Sequence, residues 1–191
     1  AVVASMPLYG RLGDLYGRKR MLVSAISLFL VSSMACGAAQ TMSQLLVARF
    51  VQGLGGGGLG VLAMATLADI VPARKLGRWL GYQGVIYAVA SVLGPVVGGV
   101  FVDQLSWRWA FFINLPVGLL AMAIIVVNLQ VPRRRVERHI DYPGAILLTA
   151  ALACLVLLAT LGGVDFGWTS GRAVALGAGM VVLLVAFVGR E

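Results

Sequence analysis

Long apolar runs with almost no charge are the feature that most limits how this 191-residue chain folds. A helix needs about 20 mostly apolar residues to cross the hydrocarbon core of a bilayer. Five runs reach that length: residues 21–41, 45–68, 79–102, 109–131 and 142–164. A shorter sixth run covers residues 173–189, and residues 1–9 look like the tail of a further helix, so we expect the chain to begin and end within a longer protein. Because backbone groups in lipid must be satisfied within each segment, the sequence predicts an all-α polytopic membrane protein.

Composition separates the chain from soluble and nucleic-acid-binding proteins. Hydrophobic residues make up 60% of it and charged residues 12%, against about 25% charged residues in a soluble domain. The formal net charge is +8, but the cations lie in short turns and do not form one basic surface, so no nucleic acid is expected as a partner. Cys36 and Cys154 lie in separate apolar runs, which is typical of buried thiols and gives no metal-ligand spacing.

The basic residues indicate which loops face the cytoplasm. Lysine and arginine in short loops set orientation by the positive-inside rule. Loops 10–20, 71–78 and 132–141 hold four, three and four of these cations, whereas the turns between them hold at most one. We therefore predict that these three loops are cytoplasmic and that the protein is a multi-pass protein of the cell inner membrane. His139, in the third loop, is expected to be a solvated residue.

Arg49 is the one charged residue inside the predicted spans. An arginine near a helix centre is disfavoured by about 2.5–3.5 kcal/mol on insertion scales, so its position needs a reason. One interpretation is that it snorkels to the outer surface. The favoured interpretation places Arg49 inward beside a polar cavity. Helical spacing predicts one face of the helix that lies close to a neighbouring backbone and holds Arg49, Gln52, Gly53, Gly56 and Gly60.

A second unusual segment lies in the next predicted span, at residues 90–99. Pro95 removes a backbone hydrogen bond and pushes against the preceding turn, while glycines remove side chains around it. We therefore predict a bend at Gly94, Pro95, Gly98 and Gly99. A kink that serves packing alone is the competing interpretation.

Taken together, these segments resemble the major facilitator superfamily, and within it the 14-helix drug:proton antiporters. The opening loop is similar to the motif G-x-L-x-D-x-x-G-R-[KR] through Gly10, Leu12, Asp14, Gly17, Arg18 and Lys19. In the next segments, L-x-x-x-R-x-x-Q-G of the fourth helix is matched by Leu45, Arg49, Gln52 and Gly53. Residues 90–99 resemble the fifth-helix antiporter motif, residues 107–118 the sixth-helix entry, and residues 141–147 the start of an extra seventh helix.

The resemblance implies a fold and a domain organisation. The chain would run from the end of helix 2 to helix 8 of a major facilitator-type helix bundle. Residues 1–140 would be an incomplete N-terminal six-helix half, and residues 141–191 two additional helices that link it to a missing C-terminal half. That half, the lipid bilayer and a small-molecule substrate are the expected partners.

The resemblance also implies a function, namely secondary active transport by proton-coupled efflux of amphipathic small molecules or drugs. The proton gradient would supply the energy, with no bound cofactor and no metal. A facilitator or symporter of another solute on the same scaffold is the alternative. A membrane enzyme is not expected, because the sequence has no H-E-x-x-H, no paired intramembrane aspartates and no G-x-S-x-G. A purely structural, partner-binding membrane protein would have no use for Arg49 beside a proline-kinked helix.

Site residues follow from the same resemblance, and none is catalytic. The gating set comprises Gly10, Gly13, Asp14, Gly17, Arg18, Lys19 and Asp69. In it, Asp14 would accept backbone N–H groups at a helix N-terminus of the other half, and Arg18 would pair with Asp69. Proton coupling is assigned to Arg49 and Gln52. Candidates for the substrate cavity are Tyr82, Gln83, Tyr87, Ser91 and Asn114. The competing interpretation is that the loop charges only set topology.

Overall fold

The computed structural model describes residues 2–129, 142–163 and 165–190, and these residues form helices with short connections. The helices are α1 (Val2–Tyr16), α2 (Arg18–Ala38), α3 (Met42–Ile70), α4 (Ala73–Gln104), α5 (Trp109–Phe112), α6 (Asn114–Asn128), α7 (Tyr142–Leu161) and α8 (Gly171–Val188). The prediction of an all-α helical bundle is confirmed. The division into two domains at residues 140 and 141 lies outside the described residues and stays a prediction.

Helix α3 is the centre of the bundle. It packs along α2 and α1, and α2 packs in turn against α6. The core cluster is formed by Leu22, Ala25, Ile26 and Leu30 of α2 with Leu62 of α3. Helix α7 pairs with α8 and rests on α1, whereas α4 makes few contacts with α3 and α5 and has no buried residue among those described. The packing therefore concentrates on α1, α2, α3 and α6.

Several helical stretches of the described residues are long and apolar enough to cross a membrane: Arg18–Ala38, Met42–Ile70, Ala73–Gln104, Trp109–Asn128, which comprises α5 and α6, and Gly171–Val188. The first four correspond to the first four predicted spans.

The last two predicted spans both contain a helix, with slightly different bounds. Of residues 142–164, Tyr142–Leu161 form the 20-residue helix α7, the length that a membrane crossing needs. Gly163 has a φ of +82°, which ends the helix. Residues 173–189 were expected to be the shorter run, and α8, with 18 residues, is shorter than α7. It begins two residues before that run because the Ser170 side chain accepts from the amide of Ala173.

Two of the predicted cytoplasmic loops are largely helical. In residues 10–20 only Gly17 lies outside α1 and α2, and its φ of +92° is a left-handed conformation that glycine adopts without strain. In residues 71–78 only Val71 and Pro72 lie between α3 and α4. The charge pattern located these turns but overestimated their length. Lysine and arginine are good helix formers, and only glycine and proline disfavour a helix strongly, so the charged residues continue the helices on either side. Loop 132–141 lies outside the described residues.

The predicted glycine face of α3 is wrong in its membership. A Cβ added to Gly55 would lie 2.8 Å from the amide nitrogen of Phe29, and one at Gly58 would lie 2.9 Å from the Cβ of Ala25. At Gly56 and Gly60 the nearest atoms are 3.7 and 3.9 Å away, which is ordinary contact. Because α3 packs on α1 and α2 at once, the close approaches fall on both of those sides and not on one stripe that begins at Arg49.

We expect Gly55→Ala to lower the thermal stability of the purified protein. The new methyl group meets the backbone of α2, which cannot move aside as a side chain can, and overpacking of this kind costs about 1–3 kcal/mol. Gly60→Ala is the matched control, since its methyl group would make only an ordinary contact, 3.9 Å from the hydroxyl of Tyr87. This variant should raise stability by up to about 1 kcal/mol through helix propensity. Equal melting temperatures for the two variants in detergent would contradict the packing described here.

Candidate functional site

Arg18 joins two carboxylates where three helices meet. It is the first residue of α2, directly after the left-handed Gly17. Its Nη2 lies 3.0 Å from Oδ1 of Asp14 in α1, and its Nε lies 2.9 Å from Oδ2 of Asp69, near the end of α3. The expected Arg18–Asp69 ion pair is therefore present, and Asp14 shares the same guanidinium.

Exposure decides how strongly this cluster holds. The side chain of Arg18 is 22% exposed, that of Asp69 31% and that of Asp14 45%. Ion pairs at the surface are worth about 0–1 kcal/mol, because water screens them and ordering the side chains costs entropy. A cluster of this strength can bias the positions of α1 and α3 and still break during a conformational change.

The glycines of the gating set hold α1 against α3. A Cβ at Gly13 would lie 2.6 Å from Cδ2 of Leu62, and one at Gly10 would lie 3.6 Å from Cγ1 of Val61. The absence of a side chain at Gly13, the residue directly before Asp14, thus lets α1 lie close to α3. Whether Asp14 also accepts N–H groups from a second half stays a prediction.

Lys19 makes a contact that the sequence did not predict. Its Nζ donates to the carbonyl oxygen of Val126 at 2.8 Å, near the end of α6. The last carbonyls of a helix have no partner within it and carry partial negative charge, so they attract a cation. Lys19 therefore fastens the start of α2 to the end of α6.

Arg49 directs its guanidinium toward protein groups. Its Nη1 donates to Oε1 of Gln52 at 3.0 Å, and its Cζ lies 5.3 Å from the centre of the Phe111 ring. Gln52 is only 4% exposed, and the Sγ of Cys36 lies 3.8 Å from the same Oε1. Arg49 as a whole is exposed, but its guanidinium has both a hydrogen-bond acceptor and an aromatic face as neighbours. These contacts offset part of the free-energy cost of placing the charge in the membrane.

Arg108 is the cation that sequence reasoning underestimated, since it was assigned only as a turn residue. Its Nε donates to the carbonyl of Gly37 at 2.9 Å and its Nη2 to that of Ala39 at 2.6 Å. Its Cζ lies 4.7 Å from the centre of the Trp107 ring. Arg108 thus closes the end of α2 that is opposite Arg18, and its aromatic neighbour in the sequence was the available signal.

The predicted cavity residues do not come together in the described part of the chain. The Nδ2 of Asn114 donates to Oγ of Ser33 at 2.9 Å, and that fully buried hydroxyl donates to the carbonyl of Phe111. Asn114 therefore serves the packing of α2 against α5 and α6.

The remaining candidates lie on α4, where Tyr82 and Tyr87 are exposed, Gln83 is half-buried and Ser91 donates to the carbonyl of Tyr87 at 2.8 Å. The structure has a cavity of about 730 Å³, but it lies elsewhere, between α2 and α3. Its lining contains none of these residues and consists of Leu28, Val31, Ser32, Ala35, Ala38, Ala39, Ser43, Gln44, Val47, Ala48 and Val51.

Helix α4 is continuous through the predicted kink, from Ala73 past Pro95 to Gln104. A Cβ built at Gly94, Gly98 or Gly99 would meet no atom of the described residues within 4 Å. The glycine side of α4 is thus uncovered in this part of the protein. Its role in an antiporter kink stays a prediction.

We expect Arg18→Gln and Asp69→Asn each to lower stability, and the double variant to lower it by less than their sum. The coupling should be about 0.5–1 kcal/mol, because the pair is partly exposed. Melting temperatures of the two single variants and the double variant measure it. Combining Arg20→Gln with Asp69→Asn is the control, since Arg20 is exposed. If the stability losses of Arg18→Gln and Asp69→Asn simply add in the double variant, the ion pair contributes nothing to stability.

Comparison with known proteins agrees with this architecture. The family model described as Major Facilitator Superfamily matches residues 1–190. Among curated proteins, the chain is 39% identical over 187 residues to "Multidrug resistance protein 3" of Bacillus subtilis, covering 98% of this chain and 36% of that protein. "Multidrug transporter protein MdtP" of the same bacterium is 36% identical over 183 residues, covering 96% of this chain and 34% of that protein.

A fungal relative shows a similar match. "Efflux pump aflT" of Aspergillus parasiticus is 36% identical over 190 residues, covering 95% of this chain and 37% of that protein. The chain thus spans about a third of the length of these relatives. Their names describe transporters and not enzymes, in agreement with the sequence-based expectation. The match over nearly all of the chain shows that it belongs to the major facilitator superfamily.

Proposed function

We propose that the full-length protein exports amphipathic small molecules across the cytoplasmic membrane in exchange for protons. The observation that carries the proposal is the Arg18 cluster, in which one guanidinium holds the carboxylates of Asp14 and Asp69 at a common end of α1, α2 and α3. Relatives named for multidrug resistance and efflux support the substrate class. The end of the bundle that holds this cluster is the cytoplasmic end, as the positive-inside rule indicates.

The cluster acts as a gate. A conformational equilibrium responds only to interactions that differ between its two states. In the proposed cycle, Asp14 is held by Arg18 and by the other half of the transporter when the cytoplasmic side is closed. The cluster then opens as the halves move apart. The modest energy of each exposed pair suits this role, because a stronger contact would trap one state.

Arg49 supports proton coupling without itself carrying the proton. An arginine side chain stays protonated in proteins, so it cannot release a proton at physiological pH. The spans of this chain contain no acidic residue at mid-membrane. Arg49, held by Gln52 and Phe111, therefore supplies a fixed positive charge that favours the ionised form of an acid elsewhere in the transporter.

An Asp14→Asn variant of the full-length protein tests the gate. We expect export of a fluorescent dye to fall by about tenfold, which corresponds to about 1.4 kcal/mol of lost interaction, while the amount of protein in the membrane is unchanged. Asp103→Asn is the matched control, because Asp103 is exposed and lies near the C-terminal end of α4, at the end of the bundle opposite Asp14. A normal export rate for Asp14→Asn would rule out the gate and leave the family assignment intact.

Proton coupling is tested in proteoliposomes that contain the full-length protein. An imposed proton gradient should drive the dye in the direction opposite to proton flow, and a protonophore should abolish this accumulation. Arg49→Lys should reduce coupled transport, because a lysine ammonium does not reproduce the planar contacts with Gln52 and Phe111. Accumulation that persists without the gradient would contradict antiport, and movement of dye with the protons would favour a symporter.

A further inference from the structure

The start of α4 carries a basic cluster that the proposed gate does not use. It consists of Arg74, Lys75 and Arg78, all exposed within the first two turns. The first turn has no acidic residue, and the N-cap Pro72 makes no side-chain hydrogen bond. Within the described residues none of the three cations contacts an acid or a carbonyl, whereas Arg18 and Lys19 at the same end of the bundle are both engaged.

The two sides of α4 have different compositions. Residues at helical spacing on one side are small or polar and end in the glycines of the predicted kink: Gln83, Tyr87, Ser91, Gly94 and Gly98. The opposite side, here called the apolar stripe, holds exposed branched residues: Val85, Ile86, Val89, Leu93 and Val96. A helix face of uninterrupted branched apolar side chains, without small or polar residues, is suited to lipid and not to close packing with another helix.

Two aromatic residues connect the basic cluster with the apolar stripe. Trp79 and Tyr82 are both exposed and form an edge-to-face pair with ring centres 5.9 Å apart. Tryptophan and tyrosine favour the level of the lipid headgroups, where one part of the ring is apolar and the other is wet. At 1.5 Å per residue, the stretch from Trp79 to Val89 covers about 15 Å, half of the hydrocarbon thickness.

We infer that this surface binds an anionic phospholipid of the cytoplasmic leaflet. The headgroup phosphate contacts Arg74, Lys75 and Arg78, the aromatic pair lies at the glycerol level, and the acyl chains follow the apolar stripe. Charge complementarity selects an anionic lipid over a zwitterionic one, since each nearby cation adds to the attraction. The inference rests on the orientation given under the proposed function, and it does not depend on proton coupling.

Fluorescence of Trp79 tests the inference directly. Trp107, Trp109 and Trp168 lie near the other end of the bundle. Replacing these three, and every tryptophan of the full-length protein outside residues 1–191, by phenylalanine leaves Trp79 as the reporter. The protein is placed in mixed vesicles of phosphatidylglycerol and phosphatidylcholine, with a spin label on the acyl chain of one lipid or the other. We expect labelled phosphatidylglycerol to quench Trp79 about fivefold more effectively, through local enrichment of the anionic lipid.

Charge removal provides the comparison. Replacing Arg74, Lys75 and Arg78 by glutamine should make the two labelled lipids equally effective, whereas Arg20→Gln, which removes an exposed cation of the same end of the bundle, should keep the preference. Equal quenching in the parent protein, or quenching by neither lipid because protein covers this face, would overturn the inference.

Native mass spectrometry of the unmodified protein gives a second measurement that needs no tryptophan replacement. Retained phosphatidylglycerol should fall in the glutamine variant and not in Arg20→Gln. A lipid preference that persists in a protein without proton-driven transport would separate this inference from the proposed function, and equal retention by all three proteins would overturn it.

Discussion

The close approach of α2 and α3 is the interaction on which the rest of the bundle depends. Gly55 brings α3 against the backbone of Phe29, and Gly58 does the same beside Ala25, so the two helices are in contact along their length. Arg49 lies about two turns before Gly55 on the same helix, and Gln52 about one turn before it. The polar group in the membrane is thus positioned by backbone packing, which is rigid, and does not depend on loops.

Much of this architecture follows from the sequence, because hydrophobic length and loop charge are properties of single segments. The spans and their alternation could be predicted in this way, whereas the Arg18–Asp69 pair was predicted from the family resemblance. The contacts of Lys19 and Arg108 could not, since both cations bind backbone carbonyls, and every residue carries a carbonyl whatever its identity. The glycine face was misassigned for a related reason. Helical spacing shows which residues share a side of α3, but not that two neighbours approach it from different directions.

The candidate cavity shows the same limit more clearly. Asn114 has the polarity expected of a substrate-facing residue, yet its amide is used by buried Ser33. In contrast, Tyr82, Tyr87 and the glycines of the predicted bend in α4 are uncovered within the described part of the chain. A polar side chain in a membrane helix forms its hydrogen bonds either within its own bundle or with another molecule. Only the positions of the neighbouring groups show which of these two roles it has.

Gly17 has a mechanical consequence. Gly17 alone separates α1 from α2, so it is the hinge between the two helices, and a tilt of α1 relative to α2 must change its backbone torsions. Arg18 and Lys19 follow this hinge directly. Arg18 contacts Asp69 of α3, and Lys19 contacts Val126 of α6. A tilt of α1 is therefore transmitted to α3 and to α6 at the same time, through the side chains of two neighbouring residues.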